Sequence, residues 1–161
     1  MKASKSAIAL AYVVSLAAMG MADTSPEDFL AAHNAVRSDF GVGPLTWDPK
    51  LEAYASEYAK GQEADCELVH SGGPYGENLY VGYGQMYVGA GRAVKSWVGE
   101  KQYYTYETNS CEEGMDCRHY KQVVWRNTQR LGCAGSICYN GNTFIICNYD
   151  PPGNIDGETP Y

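Results

Sequence analysis

Six cysteines behind a removable leader constrain this chain more than any other feature. Cysteines in that number and setting belong to an oxidising compartment, where three disulfides are the expectation. The leader covers residues 1–22: a basic start at Lys2 and Lys5, an apolar stretch from Ala7 to Ala18, and the small-residue exit Gly20-Met21-Ala22 ahead of Asp23. The apolar stretch is about 12 residues, short of the ~20 that a spanning helix needs, so cleavage is expected rather than anchoring. No second apolar segment and no lipidation signal follows. Residues 23–161 are therefore expected to form a soluble, secreted monomer with no membrane span.

That segment is one domain of ordinary size, large enough for a core of its own, so disulfides reinforce it rather than replace a core. The whole chain carries 12 Lys+Arg against 19 Asp+Glu, and loss of the leader removes two lysines and no acid, leaving a net charge of −9. Nucleic acid and anionic membrane surfaces are poor partners for such a charge. Tyrosine is abundant at 14 residues, and several cluster; a ring with a polar tip serves cores and binding grooves alike.

Local signals place the elements. Ser25-Pro26-Glu27-Asp28 is a helix start, with a hydroxyl cap, proline at the first helical position and an acid three residues after the cap. Phe29, Ala32, His33, Val36 and Phe40 then recur at helical spacing, and Gly41-Val42-Gly43-Pro44 ends the helix. Asp48-Pro49 repeats the start signal, with Leu51, Tyr54, Ala55, Tyr58 and Ala59 as the buried stripe of a second helix ending near Gly61. Residues 66–87 read as loop, broken at Gly72-Gly73-Pro74, with Glu67-Leu68-Val69 a candidate short strand. A third helix is expected over residues 88–101, weakened by Gly89, Gly91 and Gly99. Residues 119–124 suit either a short helix or the run-in to a strand. Residues 132–138 and 143–149 flank Asn140-Gly141, the dipeptide of two-residue hairpin turns. The end of the chain, from Pro151, reads as an extended arm. Helices first and a hairpin last make the class α+β, with an antiparallel sheet between or beside helices.

Imidazole chemistry must come from three histidines. His33 lies on the apolar face of the first helix and is assigned a buried, hydrogen-bonded structural role. His70 and His119 lie at loops or element ends, near acid-bearing segments that hold Glu77 and Glu100. Two imidazoles and two carboxylates could together hold a divalent metal such as Zn²⁺. Spacing alone does not bring residues 70, 77, 100 and 119 together, and the plainer reading makes each an isolated surface or capping residue. No Gly-x-Ser-x-Gly elbow is present; Ser71 beside His70 is read as a loop hydrogen-bonder. Six cysteines allow 15 pairings on sequence alone.

Two longer stretches are more specific: residues 118–127, Arg-His-Tyr-Lys-Gln-Val-Val-Trp-Arg-Asn, and residues 144–154, Phe-Ile-Ile-Cys-Asn-Tyr-Asp-Pro-Pro-Gly-Asn. They resemble the two signature stretches of the CAP superfamily. Ala32-His33-Asn34, Gly43-Pro44-Leu45-Thr46-Trp47, Tyr75-Gly76-Glu77-Asn78-Leu79 and Leu131-Gly132-Cys133-Ala134 support the likeness in family order. Short length and a Pro-rich end resemble the plant pathogenesis-related class 1 branch. The resemblance implies an α-β-α sandwich, with a three- or four-stranded antiparallel sheet between helical layers, and a central cleft lined by His70, Glu77, Glu100 and His119. It also implies the pairings Cys66 with Cys138, Cys111 with Cys117, and Cys133 with Cys147. Lys121 stands where the family more usually has threonine, placing a cation near the cleft that would disfavour metal or pair with Glu77 or Glu100.

The same resemblance implies a defence protein, secreted into the apoplast, that acts against fungi and oomycetes by binding a sterol or other lipid. Candidate groove residues are Tyr80, Tyr83, Tyr87, Trp97, Tyr103, Tyr104 and Tyr106. It further implies that residues 151–161 are released by cleavage between Asp150 and Pro151 as a signalling peptide with its own receptor; the alternative is an arm that packs over the sheet. A metal-dependent hydrolase, with Zn²⁺ at His70 and His119 and Glu77 or Glu100 activating water, is the enzymatic alternative to a binding protein that requires no cofactor.

Overall fold

The computed structural model describes residues 24–161; the expected leader, residues 1–22, lies outside the described residues. Helix α1 spans Pro26–Asp39 and opens with the expected capping box: the Ser25 hydroxyl accepts from the Asp28 N–H, and the Asp28 carboxylate accepts from the Ser25 N–H at 3.0 Å. Its fully buried face is Phe29, His33 and Arg37, one residue per helical turn. Arg37 is absent from the expected stripe; Ala32, Val36 and Phe40 are only partly buried. Helix α2, Pro49–Gly61, is capped by Asp48 and buries Leu51, Ala55 and Ala59.

Strands β1 (Thr46–Trp47), β2 (Gly76–Gly82), β5 (Arg130–Ile137) and β6 (Thr143–Asp150) form one sheet in the order β1-β5-β6-β2. Three of them are antiparallel, and the two-residue β1 adds a parallel edge to β5. A second, two-stranded sheet joins β3 (Tyr104–Thr105) to β4 (Ser110–Cys111). Strand β6 explains the layering, because residues 143–149 are buried on both faces. Phe144 and Ile146 pack with Ala55 and Ala59 of α2, whereas Ile145, Cys147 and Tyr149 pack with Phe29, Trp97 and Tyr120. Helix α2 thus covers one face, and α1, α3 (Ala90–Gly99) and α4 (Arg118–Val123) cover the other. Only the absence of a side chain lets α2 lie this close to the sheet: a Cβ on Gly132 would stand 2.2 Å from the backbone nitrogen of Glu52.

Four local expectations change. Residues 66–87 are not all loop: β2 pairs with β6 along its whole length, a contact made across more than 60 residues, which its own Gly-Glu-Asn start does not signal. Glu67-Leu68-Val69 is not a strand. The third helix is shorter than expected and continues as a single 3₁₀ segment, Glu100–Tyr103. The hairpin loop runs over residues 138–142, with the left-handed conformation at Gly141 alone (φ +80°), so Asn140-Gly141 sits inside a five-residue loop and not a two-residue turn.

All three disulfides form, as Cys66–Cys138, Cys111–Cys117 and Cys133–Cys147. The first ties the turn after α2 to the hairpin loop, the second ties β4 to the start of α4, and the third crosses between β5 and β6.

His33 is fully buried, as assigned. Its Nδ1 lies 2.8 Å from the Phe29 carbonyl, which can only accept, so Nδ1 carries the proton and Nε2 accepts from the Tyr149 hydroxyl at 2.8 Å. Burial holds its pKa down at about 4, with the nearby Arg37 charge acting the same way. The unfolded chain takes up a proton near the ordinary value of 6.5 while the folded chain does not. Stability present above pH 6.5 is therefore lost as pH falls toward 4, by about 3 kcal/mol in all, because each tenfold difference in proton affinity is worth ~1.4 kcal/mol. Urea midpoints measured across that window are expected to fall, and His33→Gln is expected to flatten the fall; an equal slope in both proteins excludes His33 as its source.

Candidate functional site

A cleft of about 300 Å³ opens where the loop before β2, the start of α4 and the residues after β6 meet. His70, Glu77 and His119 line it, and Glu100 stands behind His119. The four residues come together as two imidazole–carboxylate pairs.

In the first pair, the His70 Nδ1–H donates to Glu77 Oε1 at 2.7 Å. Glu77 is placed by β2, whose next residues anchor the strand in the sheet. Its carboxylate also accepts from the Ser71 N–H at 3.0 Å and the Ser71 hydroxyl at 2.5 Å. Ser71 in turn accepts from the Tyr54 hydroxyl of α2 at 3.0 Å, and Tyr58 donates to the Val69 carbonyl, so two tyrosines of one helix pin the loop that carries His70. The Glu77 side chain is 7% exposed and the His70 side chain 60%, so the ring reaches outward from a buried anchor.

In the second pair, the His119 Nδ1–H donates to Glu100 Oε1 at 2.6 Å. The other Glu100 oxygen accepts the backbone N–H groups of His119 and Tyr120, at 3.0 and 3.1 Å. These are free donors of the first turn of α4, which a helix cannot satisfy from within. A carboxylate there satisfies them and orients the ring in one stroke. Each carboxylate thus accepts three hydrogen bonds, and both imidazoles keep Nε2 free of any hydrogen bond within the described residues.

A buried polar chain supports the cleft from below. The Asn78 amide donates to the His119 carbonyl at 3.1 Å and to the Tyr149 hydroxyl at 3.2 Å, and Tyr149 continues to His33. Burial pushes the Tyr149 phenol well above its ordinary range, so it stays a neutral hydrogen-bonding group. Gln122, 1% exposed, accepts from the Gly153 N–H and donates to Thr128, joining α4 to the residues after β6.

Sequence reasoning missed Asp116, Arg118 and Gln122 as cleft residues. Arg118 clamps Asp116 through several bonds, which holds the Asp116 carboxyl at about 2. Oxygen or nitrogen atoms of Glu100, Asp116 and His119 lie within 4.8 Å of one another. The one sequence signal for the three missed residues is closeness to His119 along the chain. Lys121, expected to face the cleft, turns away: its ammonium lies over the rings of Tyr104 and Trp125, at 5.7 and 6.0 Å, and partial burial lowers its pKa.

The seven aromatic candidates are not gathered into one groove. Trp97 is 2% exposed and donates to the Leu79 carbonyl, as part of the core. Tyr80 and Tyr104 pack half-buried against the same core, and Tyr103 is half-buried in the 3₁₀ segment. Tyr106 stacks on Tyr161, while Tyr83 and Tyr87 are exposed. Tyr87 alone of the seven borders an apolar-walled pocket of about 260 Å³, with Met86, Val88 and Ile137. The spread follows from element geometry: residues 80–106 run through a strand, a loop, a helix and a 3₁₀ turn, and point in different directions.

Residues 30–149 match the cysteine-rich secretory protein (CAP) family. Pathogenesis-related protein 1C of Nicotiana tabacum is 54% identical over 140 residues, covering 87% of this chain and 83% of that protein. Pathogenesis-related protein PRMS of Zea mays is 49% identical over 163 residues, covering 98% of each. Among solved structures, venom allergen-like protein 4 of Schistosoma mansoni superposes with a TM-score of 0.67 at 28% identity, over 84% of this chain and 92% of its own. NaASP2, solved with Zn²⁺, superposes with a TM-score of 0.71 at 25% identity, over 89% and 88%.

Proposed function

Because the chain belongs to the cysteine-rich secretory protein (CAP) family, with pathogenesis-related plant proteins among its relatives, we propose that it is a secreted defence protein that works by binding and not by catalysis. The observation that carries this reading is the pairing of each cleft imidazole with a carboxylate that accepts three hydrogen bonds and so is held as an orienting group. A hydrolase using Glu77 or Glu100 to activate water would have to draw the carboxylate away from those hydrogen bonds.

A divalent metal would be held in a different way from four direct ligands: His70 and His119 line the same cleft, although the tighter cluster of donor atoms is Glu100, Asp116 and His119. His70 and His119 would hold Zn²⁺ through Nε2, with Glu77 and Glu100 fixing tautomer and ring orientation from behind. NaASP2, a structural relative, was solved with that ion. Bound there, the metal would supply a Lewis-acidic contact for a ligand's oxygen or nitrogen. Zinc chloride titrated calorimetrically into the full chain is expected to bind. His70→Ala with His119→Ala should abolish binding, and Glu100→Gln should weaken it ~10–100-fold. Unchanged affinity in both variants excludes the cleft as the metal site.

A lipid or sterol is assigned to the mainly apolar pocket of Met86, Tyr87, Val88 and Ile137, which Thr24, Ser136 and Thr143 also line. Withholding sterol would starve fungi or oomycetes that depend on an external supply. Competition with labelled cholesterol is expected to be saturable and to weaken in Tyr87→Asp; no saturable uptake ends this assignment. The third element of the reading is that residues 151–161 form a signalling peptide for a receptor, cut between Asp150 and Pro151. Mass spectrometry of secreted fluid after wounding tests it, and absence of that peptide removes it.

A further inference from the structure

The end of the chain is seated in the body rather than laid over it. Tyr161 lies between Phe40 of α1, at 4.9 Å between ring centroids, and Tyr106, at 5.0 Å and nearly parallel. Its hydroxyl meets that of Tyr120 at 2.8 Å, and its backbone oxygen accepts from the Tyr106 hydroxyl at 2.6 Å. Pro160 is buried, and its carbonyl accepts from the Arg126 N–H at 2.7 Å. The other end of the segment is held as firmly, by Thr128 on the Pro151 carbonyl, Gln122 on the Gly153 N–H and the Asn154 amide on the Arg118 carbonyl. In between, Asn109 holds the Glu158 carbonyl. These contacts come from the body on both sides of α4, and none depends on the peptide bond between Asp150 and Pro151.

We propose that the aromatic slot formed by Phe40, Tyr106 and Tyr120, with the Arg126 N–H, is a binding site for a peptide ending in Pro-Tyr, and that residues 151–161 stay bound in it after the chain is cut. The inference rests on the reading of that segment as separable and adds to it: cutting and release are two steps. A proline limits the freedom of the free peptide, and two aromatic contacts with a buried carbonyl hydrogen bond reward its return. Chain connection is lost on cutting, so retention then depends on contacts alone. Retention also keeps the cleft whole, because Pro152, Gly153 and Asn154 form part of its wall.

The test inserts a site-specific protease sequence between Asp150 and Pro151 of the full chain, nicks the folded protein and passes it through size exclusion at low micromolar concentration. The fragment is expected to co-elute with the body. In a nicked Tyr161→Ala protein, which alters only the last residue, it is expected to leave at least ~10-fold faster. A fragment that elutes free from the unaltered nicked chain overturns the proposal, as does equal retention in the Ala variant. The nick is made in vitro, so this outcome is separate from whether plants cut the chain at all.

Discussion

Arg37→Leu is expected to destabilise the protein by about 4 kcal/mol, because it strands buried backbone carbonyls at ~1–3 kcal/mol each. Arg37 is 1% exposed, yet it carries a guanidinium that donates to four backbone carbonyls. Nε reaches Gly43 at 2.7 Å, Nη1 reaches Val123 and Trp125 at 3.0 and 2.9 Å, and Nη2 reaches Thr128 at 3.0 Å. Val123 closes α4, where carbonyls have no partner within the helix. Burial lowers the Arg37 pKa to about 10, which still leaves the group charged at neutral pH. Leucine would fill much of the volume and leave the Val123 and Thr128 carbonyls in a dry interior without a donor, while Trp125 keeps the Thr128 N–H and Gly43 is exposed. Arg37→Lys is not expected to rescue, because one compact ammonium cannot reproduce a planar fork spread over four acceptors. Urea denaturation measures the loss, and a change under ~1 kcal/mol in Arg37→Leu refutes the network account. Since α4 carries His119, the same variant is also expected to weaken the zinc binding proposed for the cleft.

Removing the Cys66–Cys138 bridge as the Ala pair is expected to cost about 4 kcal/mol, from the chain entropy of a loop closed over 72 residues. The same relation gives about 3 kcal/mol for Cys133–Cys147, separated by 14 residues, and about 2 kcal/mol for Cys111–Cys117, separated by 6. The order is the sharper prediction. A loss of 4 kcal/mol corresponds to a fall of about 15 °C in Tm for a domain of this size. Calorimetry of the three double variants checks it; a larger loss from the Cys111–Cys117 pair than from Cys66–Cys138 would show that strain or local packing, and not loop length, sets their value.

The same Arg37 shows where sequence reading stops. It lies at helical spacing from Phe29 and His33, but a charged residue at that position reads as solvent-facing until something is known about the carbonyls it meets. The helix starts at Ser25 and Asp48 were legible because capping is settled within four residues. Strand β2 was not, because its pairing with β6 lies far along the chain. The cleft stands between these cases. His70, Glu77, Glu100 and His119 are named through motif resemblance, yet which acid serves which imidazole, and that both acids are spent on orientation, follows from distances no spacing contains.

Taken by itself, the sequence determined the class, the order of helices and hairpin, and the family, since caps, periodicity and short motifs act over a few neighbouring residues. Tertiary structure alone decided that Trp97 is core while Tyr83 and Tyr87 face water, that Lys121 turns from the cleft, and that Tyr161 closes an aromatic slot. Residue type is the same question in every one of those places, whereas burial depends on which distant surface arrives to cover it. That is a property of packing, and it exists only once the layers have met.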